Sequence, residues 1–127
     1  MKKLVIISVL FVLLSVVTPV YAGSIDGLWT ITLADGTLHS FAMARENSGT
    51  LLIVILETDQ SIWDAYWGSF DGTTSHMTTL FSLYAQVELT FELTSSTSGS
   101  GTITNCMSIV GDSCPSIGTV FSMQKLF

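Results

Sequence analysis

The side chains with most chemistry to offer in this chain are two histidines, ten carboxylates and two cysteines. A histidine titrates near neutral pH and suits general-base work or metal ligation. His39 and His76 each stand alone among Thr and Ser, with no His-x-His pair and no carboxylate at ligand spacing. Both read as partly exposed structural residues, and no metal site is expected. Paired carboxylates can divide acid and base roles, but only at the right separation. Glu88 and Glu92 fall on one face of an alternating stretch, about 13 Å apart at the rise of a β-strand. That exceeds the roughly 5–9.5 Å used in glycoside hydrolysis, so they read as solvent-facing charges. No Gly-x-Ser-x-Gly, phosphate loop or His-Glu-x-x-His occurs, and no serine has a recognisable base partner. The expectation is a protein without catalysis and without a cofactor.

The richest local cluster is aromatic, Ile62 to Phe70. In an extended strand Trp63, Ala65 and Trp67 share one face and Asp64 and Tyr66 the other. Two readings stay open. Large aromatics can simply fill the core of a small domain. Alternatively Trp63, Tyr66 and Trp67 wall a small-ligand pocket, with Asp64 and Tyr66 supplying the polar tips that orient the ligand.

Cys106 and Cys114 enclose seven residues, with no Cys-x-x-Cys and no histidine nearby in sequence. In an oxidising compartment they are expected to pair as a structural disulfide. Closing so short a ring adds about 2–3 kcal/mol, useful to a domain with a marginal core.

The start of the chain points to that compartment. Met1-Lys2-Lys3 is basic, Leu4 to Val17 is apolar apart from Ser8 and Ser15, and Thr18-Pro19-Val20-Tyr21-Ala22 follows. A basic start, an apolar middle and small residues at the cut describe a signal peptide helix. The apolar run is shorter than the roughly 20 residues of a membrane span, and Pro19 interrupts it. Cleavage is expected after Ala22, so residues 1–22 are a leader, 23–127 form one domain, and the product is periplasmic or extracellular. Contact with the membrane is expected only through the leader, during export.

Beyond the leader only Arg45 and Lys125 are basic, against ten acidic residues. Such a surface repels phosphate backbones, which argues against nucleic acid as a partner, and against docking on anionic lipid by charge. Charged residues are 11% of the chain, under half the roughly 25% of ordinary soluble domains. Thr, Ser and Gly hold the polar positions instead.

Those polar positions recur with period two. From Val87 to Thr94 every odd residue is apolar and every even one polar, the mark of a half-buried strand. Trp29, Ile31 and Leu33 alternate with Thr in the same way, as Phe121 and Met123 do with Ser122 and Gln124. Leu51 to Leu56 is apolar on both faces, which suits a strand covered on both sides, or one facing a membrane or a second copy. Asp35-Gly36 and Asp71-Gly72 are hairpin signals, because glycine supplies the positive φ of a tight turn. Eight strands are predicted: 27–34, 37–45, 50–57, 61–70, 73–82, 86–94, 100–109 and 117–126. Short strands at this spacing, with no room for a crossover helix, make an all-β fold. An antiparallel up-and-down β-barrel removes exposed edges; a β-sandwich is the alternative.

Gly27-Leu28-Trp29 opens the first strand, and Lys125 lies on the last. This pattern resembles the calycins, the lipocalin and avidin group of small β-barrels. Their barrels begin with Gly-x-Trp, and a basic side chain from the last strand covers the indole. The resemblance implies that Gly27, Trp29 and Lys125 close the barrel. It does not extend to a second lipocalin motif or to the avidin ligand residues, so it implies no particular ligand.

Three functional readings follow. One is an exported, non-enzymatic barrel binding a small apolar or aromatic ligand. Another is a filled barrel serving as a structural or interaction protein, with Leu51–Leu56 as its partner or dimer surface. The last is a small outer-membrane barrel, consistent with export, low charge and the C-terminal Phe127. Against it, membrane strands run to about 9–11 residues, and Lys125 shares a face with Phe121 and Phe127. The sequence names neither the ligand nor the partner, and it leaves the oligomeric state open.

Overall fold

The computed structural model describes residues 24–57 and 62–127; the expected leader and its expected cleavage point lie outside them. Eight antiparallel strands form a closed barrel in sequence order: β1 (Gly27–Leu33), β2 (Leu38–Asn47), β3 (Thr50–Glu57), β4 (Trp63–Phe70), β5 (Thr74–Phe81), β6 (Ala85–Leu93), β7 (Ser98–Ser108) and β8 (Val120–Lys125). β8 returns to pair with β1, so the architecture is an up-and-down barrel and not a sandwich. The predicted strands match to within three residues at each end. The largest difference is at β8, which begins at Val120. There Ser116 accepts a hydrogen bond from Thr119 N, and Gly118 takes a φ of +86°, so the chain is still turning.

Alternation decides which side chains enter. β6 presents Ala85, Val87, Leu89, Phe91 and Leu93 inward and Gln86, Glu88 and Glu92 outward. Trp29 and Ile31 of β1, Leu51 and Ile53 of β3, Met77 of β5 and Met123 of β8 complete the core. Each such side chain contributes roughly 1.5–3 kcal/mol by leaving water. Two glycines on β7 make room for the largest rings. A Cβ on Gly99 would lie 2.6 Å from the Phe91 ring, and one on Gly101 would enter the ring of Phe121.

The two ends of the barrel differ. At one end β1 begins, β8 finishes, and tight hairpins join β2 to β3 and β4 to β5. Here Trp29, fully buried, donates through Nε1 to Ile25 O at 2.9 Å. Trp29 and Lys125 are direct cross-strand partners, and the Lys125 ammonium lies 5.8 Å from the indole centroid while donating to Ser24 O at 2.7 Å. The lysine stem covers the indole and its charge stays wet. Gly27 has a φ of +144°, and a Cβ there would run into the Phe127 carbonyl and lie 2.8 Å from Lys125 Cε. The Gly-x-Trp spacing thus has a physical cause: the returning C-terminal strand crosses where only glycine fits. Closure by Gly27, Trp29 and Lys125 is compatible with a calycin-like barrel.

The opposite end carries the longer connections. Cys106 and Cys114 form a disulfide with a Cα–Cα distance of 5.8 Å, pinning the β7–β8 loop. Ser113 Oγ donates to Tyr84 O at 2.6 Å, tying that loop to the β5–β6 turn.

Candidate functional site

Three β-bulges loosen the barrel. The register between β1 and β2 skips His39, that between β4 and β5 skips Leu80, and that between β6 and β7 skips Thr104. Bulges bend strands and re-aim side chains at barrel rims. The bulge at His39 brings that residue to the rim of the cavity. β5 and β6 also part. Their backbone ladder ends at Thr78 and Glu88, and beyond it the Thr79 hydroxyl bridges to Val87, accepting from its N–H at 2.7 Å and donating to its carbonyl at 3.2 Å.

The consequence is a cavity of about 510 Å³ in the half of the barrel nearest the long loops. Ile31, Ile55, Val87, Leu89, Ile103 and Phe121 form its apolar wall, with Tyr66 and Tyr84 as aromatic faces. Asp112, Ser113, Cys114 and Pro115 reach it from the disulfide loop. Beneath it, towards the Trp29 end, Ile53, Met77, Phe91 and Met123 leave a void of about 10 Å³. The barrel is therefore packed in one half and open in the other.

The polar groups in the cavity gather on β2, β3 and β4. Ser40 and Glu57 are direct cross-strand partners, and Asp64 lies opposite Ile55, one inward position away from Glu57. Direct partners have Cβ atoms about 4.5–5.5 Å apart and diagonal neighbours about 7–8 Å, so these three form one polar arc. Ser40 is fully buried, and its Oγ has no hydrogen-bond partner among the described residues; neither has the buried Asp64 Oδ1. Tyr66 is almost fully buried as well. Burial first, then the charges of Asp64 and Glu57 and a hydrogen bond to Asp64, push its phenol well above the ordinary value. Tyr66 is thus held protonated, as a hydrogen-bond donor.

The four residues expected to make a pocket are divided between two faces. Asp64 and Tyr66 line the cavity. Trp63 and Trp67 lie on the outside of the barrel, each about half exposed. Trp63 stacks on Phe81, with ring centroids 4.5 Å apart, and Trp67 borders a shallow outer trough with His76 and Glu88. Ser40, Glu57, Tyr84 and Asp112 were not anticipated as site residues. A serine at an inward position within the alternation of β2 was the signal for Ser40; the others converge only through closure of the barrel. Among the described residues no three His, Cys, Asp or Glu side chains group as a metal site.

The outer surface is uneven too. On β2 to β4 the outward row carries Phe41, Met43, Leu52, Val54, Leu56, Trp63 and Trp67, and Met43 and Leu56 are at least half exposed. On β1, β6 and β8 it carries Thr30, Thr32, Glu88, Glu92, Ser122 and Gln124. No protein-family model, curated protein or solved structure matches the chain.

Proposed function

We propose that this chain is an exported, non-enzymatic barrel of calycin type that holds a small ligand with an apolar or aromatic body. The carrying observation is the half-empty interior. A cavity of about 510 Å³ falls within the roughly 300–1,000 Å³ of small-ligand sites, and apolar walls with a few placed polar groups are their usual lining. An eight-stranded barrel stands at the size where side chains either fill the interior or leave room for one small ligand. Packing at the Trp29 end, with Gly27 and Lys125, supports the calycin reading. The leader supports release to the periplasm or beyond, and the disulfide suits an oxidising compartment.

The test is native mass spectrometry of the protein recovered from the exported fraction, followed by titration with a neutral apolar fluorophore, N-phenylnaphthylamine. A captured mass lost on denaturation, or saturable fluorophore binding at one site per chain, supports the reading. A bare mass together with no fluorophore binding overturns it.

A second reading rests on the outer apolar face of β2 to β4. An apolar row of this extent on one side of a barrel suits contact with a second copy of the chain. Sedimentation across a concentration series tests it: Leu56→Glu should abolish any dimer, and a parent monomeric at every concentration refutes it. The outward Thr, Ser, Glu and Gln of β1, β6 and β8 favour water around the barrel, because a membrane barrel needs an apolar belt on all sides.

A further inference from the structure

The cavity has a sign. Glu57, Asp64 and Asp112 line it with one titratable base, His39, whereas the described lysine and arginine sit at the opposite, packed end. There Arg45 pairs with Asp26 at 3.0 Å and Lys125 donates to Ser24 O. Two atoms of the polar arc also lack a partner, although the Tyr66 phenol hydrogen-bonds the Asp64 carboxylate. Asp64 Oδ1 is buried with no partner, and Ser40 Oγ, fully buried two strands away, has none either. Leaving a buried acceptor unpaired is unfavourable, most of all for a carboxylate oxygen. A ligand that brings donors and a positive charge removes that cost, and in a low-dielectric cavity the charge pairing is strengthened.

From this, and resting on the ligand-binding reading above, we propose that the cavity selects a cationic amine with an apolar or aromatic body. The ammonium lies beside Asp64 and Glu57, and the body rests against Tyr66, Ile103 and Phe121. A primary ammonium carries three donors and no acceptor, which complements an arc of acceptors. Ser40 Oγ, farther along the arc, is placed for a hydroxyl or second amino group on the same ligand. A carboxylate or phosphate head meets three like charges and is disfavoured.

The test is competition against bound N-phenylnaphthylamine by three probes sharing one chain: octylamine, octanol and octanoate. Octylamine should displace the fluorophore about 10- to 100-fold better than octanol, the range set by one hydrogen bond to a charged group, and octanoate should be weakest. In Asp64→Asn the advantage of octylamine over octanol, each read against that variant's own fluorophore affinity, should collapse to about twofold or less. Glu57→Gln provides the same reading if Asp64→Asn fails to fold. Fluorophore binding with octylamine no better than octanol or octanoate overturns the amine assignment and leaves the cavity reading intact. An unchanged preference in the folded variants overturns the assignment to this arc. If neither the fluorophore nor any probe binds, the ligand-binding reading fails and this inference falls with it.

Discussion

Replacing Trp29 by alanine tests the account of barrel closure most directly. The indole is fully buried, donates to Ile25 O at 2.9 Å and lies under the Lys125 ammonium at 5.8 Å. Deleting a buried tryptophan of this kind costs about 3–5 kcal/mol, the larger values applying where neighbours cannot collapse into the space. Collapse is hindered here, because β1 is held between β2 and β8 through consecutive register pairs on both sides. The loss also orphans the Ile25 carbonyl, on a residue only 2% exposed. Against a total of about 5–15 kcal/mol, the variant should lie at the edge of folding, with Tm lowered by about 12–40 °C. Trp29→Phe separates the two contributions: it keeps most of the apolar volume and loses the N–H, and should cost about 1–3 kcal/mol. Urea unfolding followed by far-ultraviolet circular dichroism reads both variants, with the slope m unchanged if the denatured state is unaffected. A Trp29→Ala midpoint within about 1 kcal/mol of the parent would refute the argument that this residue seals the packed end.

Three other perturbations address separate parts of the molecule. Tyr66 has its folded-state pKa raised by burial and by Asp64 and Glu57, so its contribution is whole below the unfolded value of about 10 and is lost as pH rises above it; unfolding measured from about pH 9 to 11.5 should show an alkaline loss of stability that Tyr66→Phe reduces, and an identical profile would refute this. Cys106→Ser opens the eight-residue link to Cys114 and should cost about 2–3 kcal/mol while weakening fluorophore binding, because the freed loop lines the cavity; two free thiols in the exported parent, measured by alkylation and mass, would contradict it. Gly101→Ala puts a Cβ into the ring of Phe121 and should destabilise by about 1–3 kcal/mol through overpacking, read as a lower Tm in calorimetry.

Much of the fold was legible because one strong signal, period two, repeats along the chain. Val87 to Leu93 is buried at every odd position, as the alternation requires. Closure was legible from Gly27, Trp29 and Lys125, because the first and last strands of a barrel must meet, and Trp29 and Lys125 are direct register partners. The cavity was not legible in the same way. Ser40, Glu57 and Asp64 come from three strands and are joined only by register, which a single local pattern does not carry. Alternation in β4 correctly set Trp63 and Trp67 against Asp64 and Tyr66, but left open which pair faces inward.

The usual preference, tryptophan in and aspartate out, is reversed along β4, and the reversal ties the two faces of the barrel together. Trp63 and Trp67 join an outer apolar row shared with β2 and β3, and that row shields even the outward Ala65, which is 4% exposed. With the bulky rings outside, the inner face of β4 presents Asp64 and Tyr66 to the cavity, polar groups where a filled barrel would have apolar bulk. Placing a carboxylate inward beside a buried tyrosine is costly unless something answers its charge. The same register that empties this half of the barrel therefore sets the chemistry of what can occupy it. Stability is supplied elsewhere, by the packed end around Trp29, Phe91 and Met123 and by the Cys106–Cys114 link across the loop.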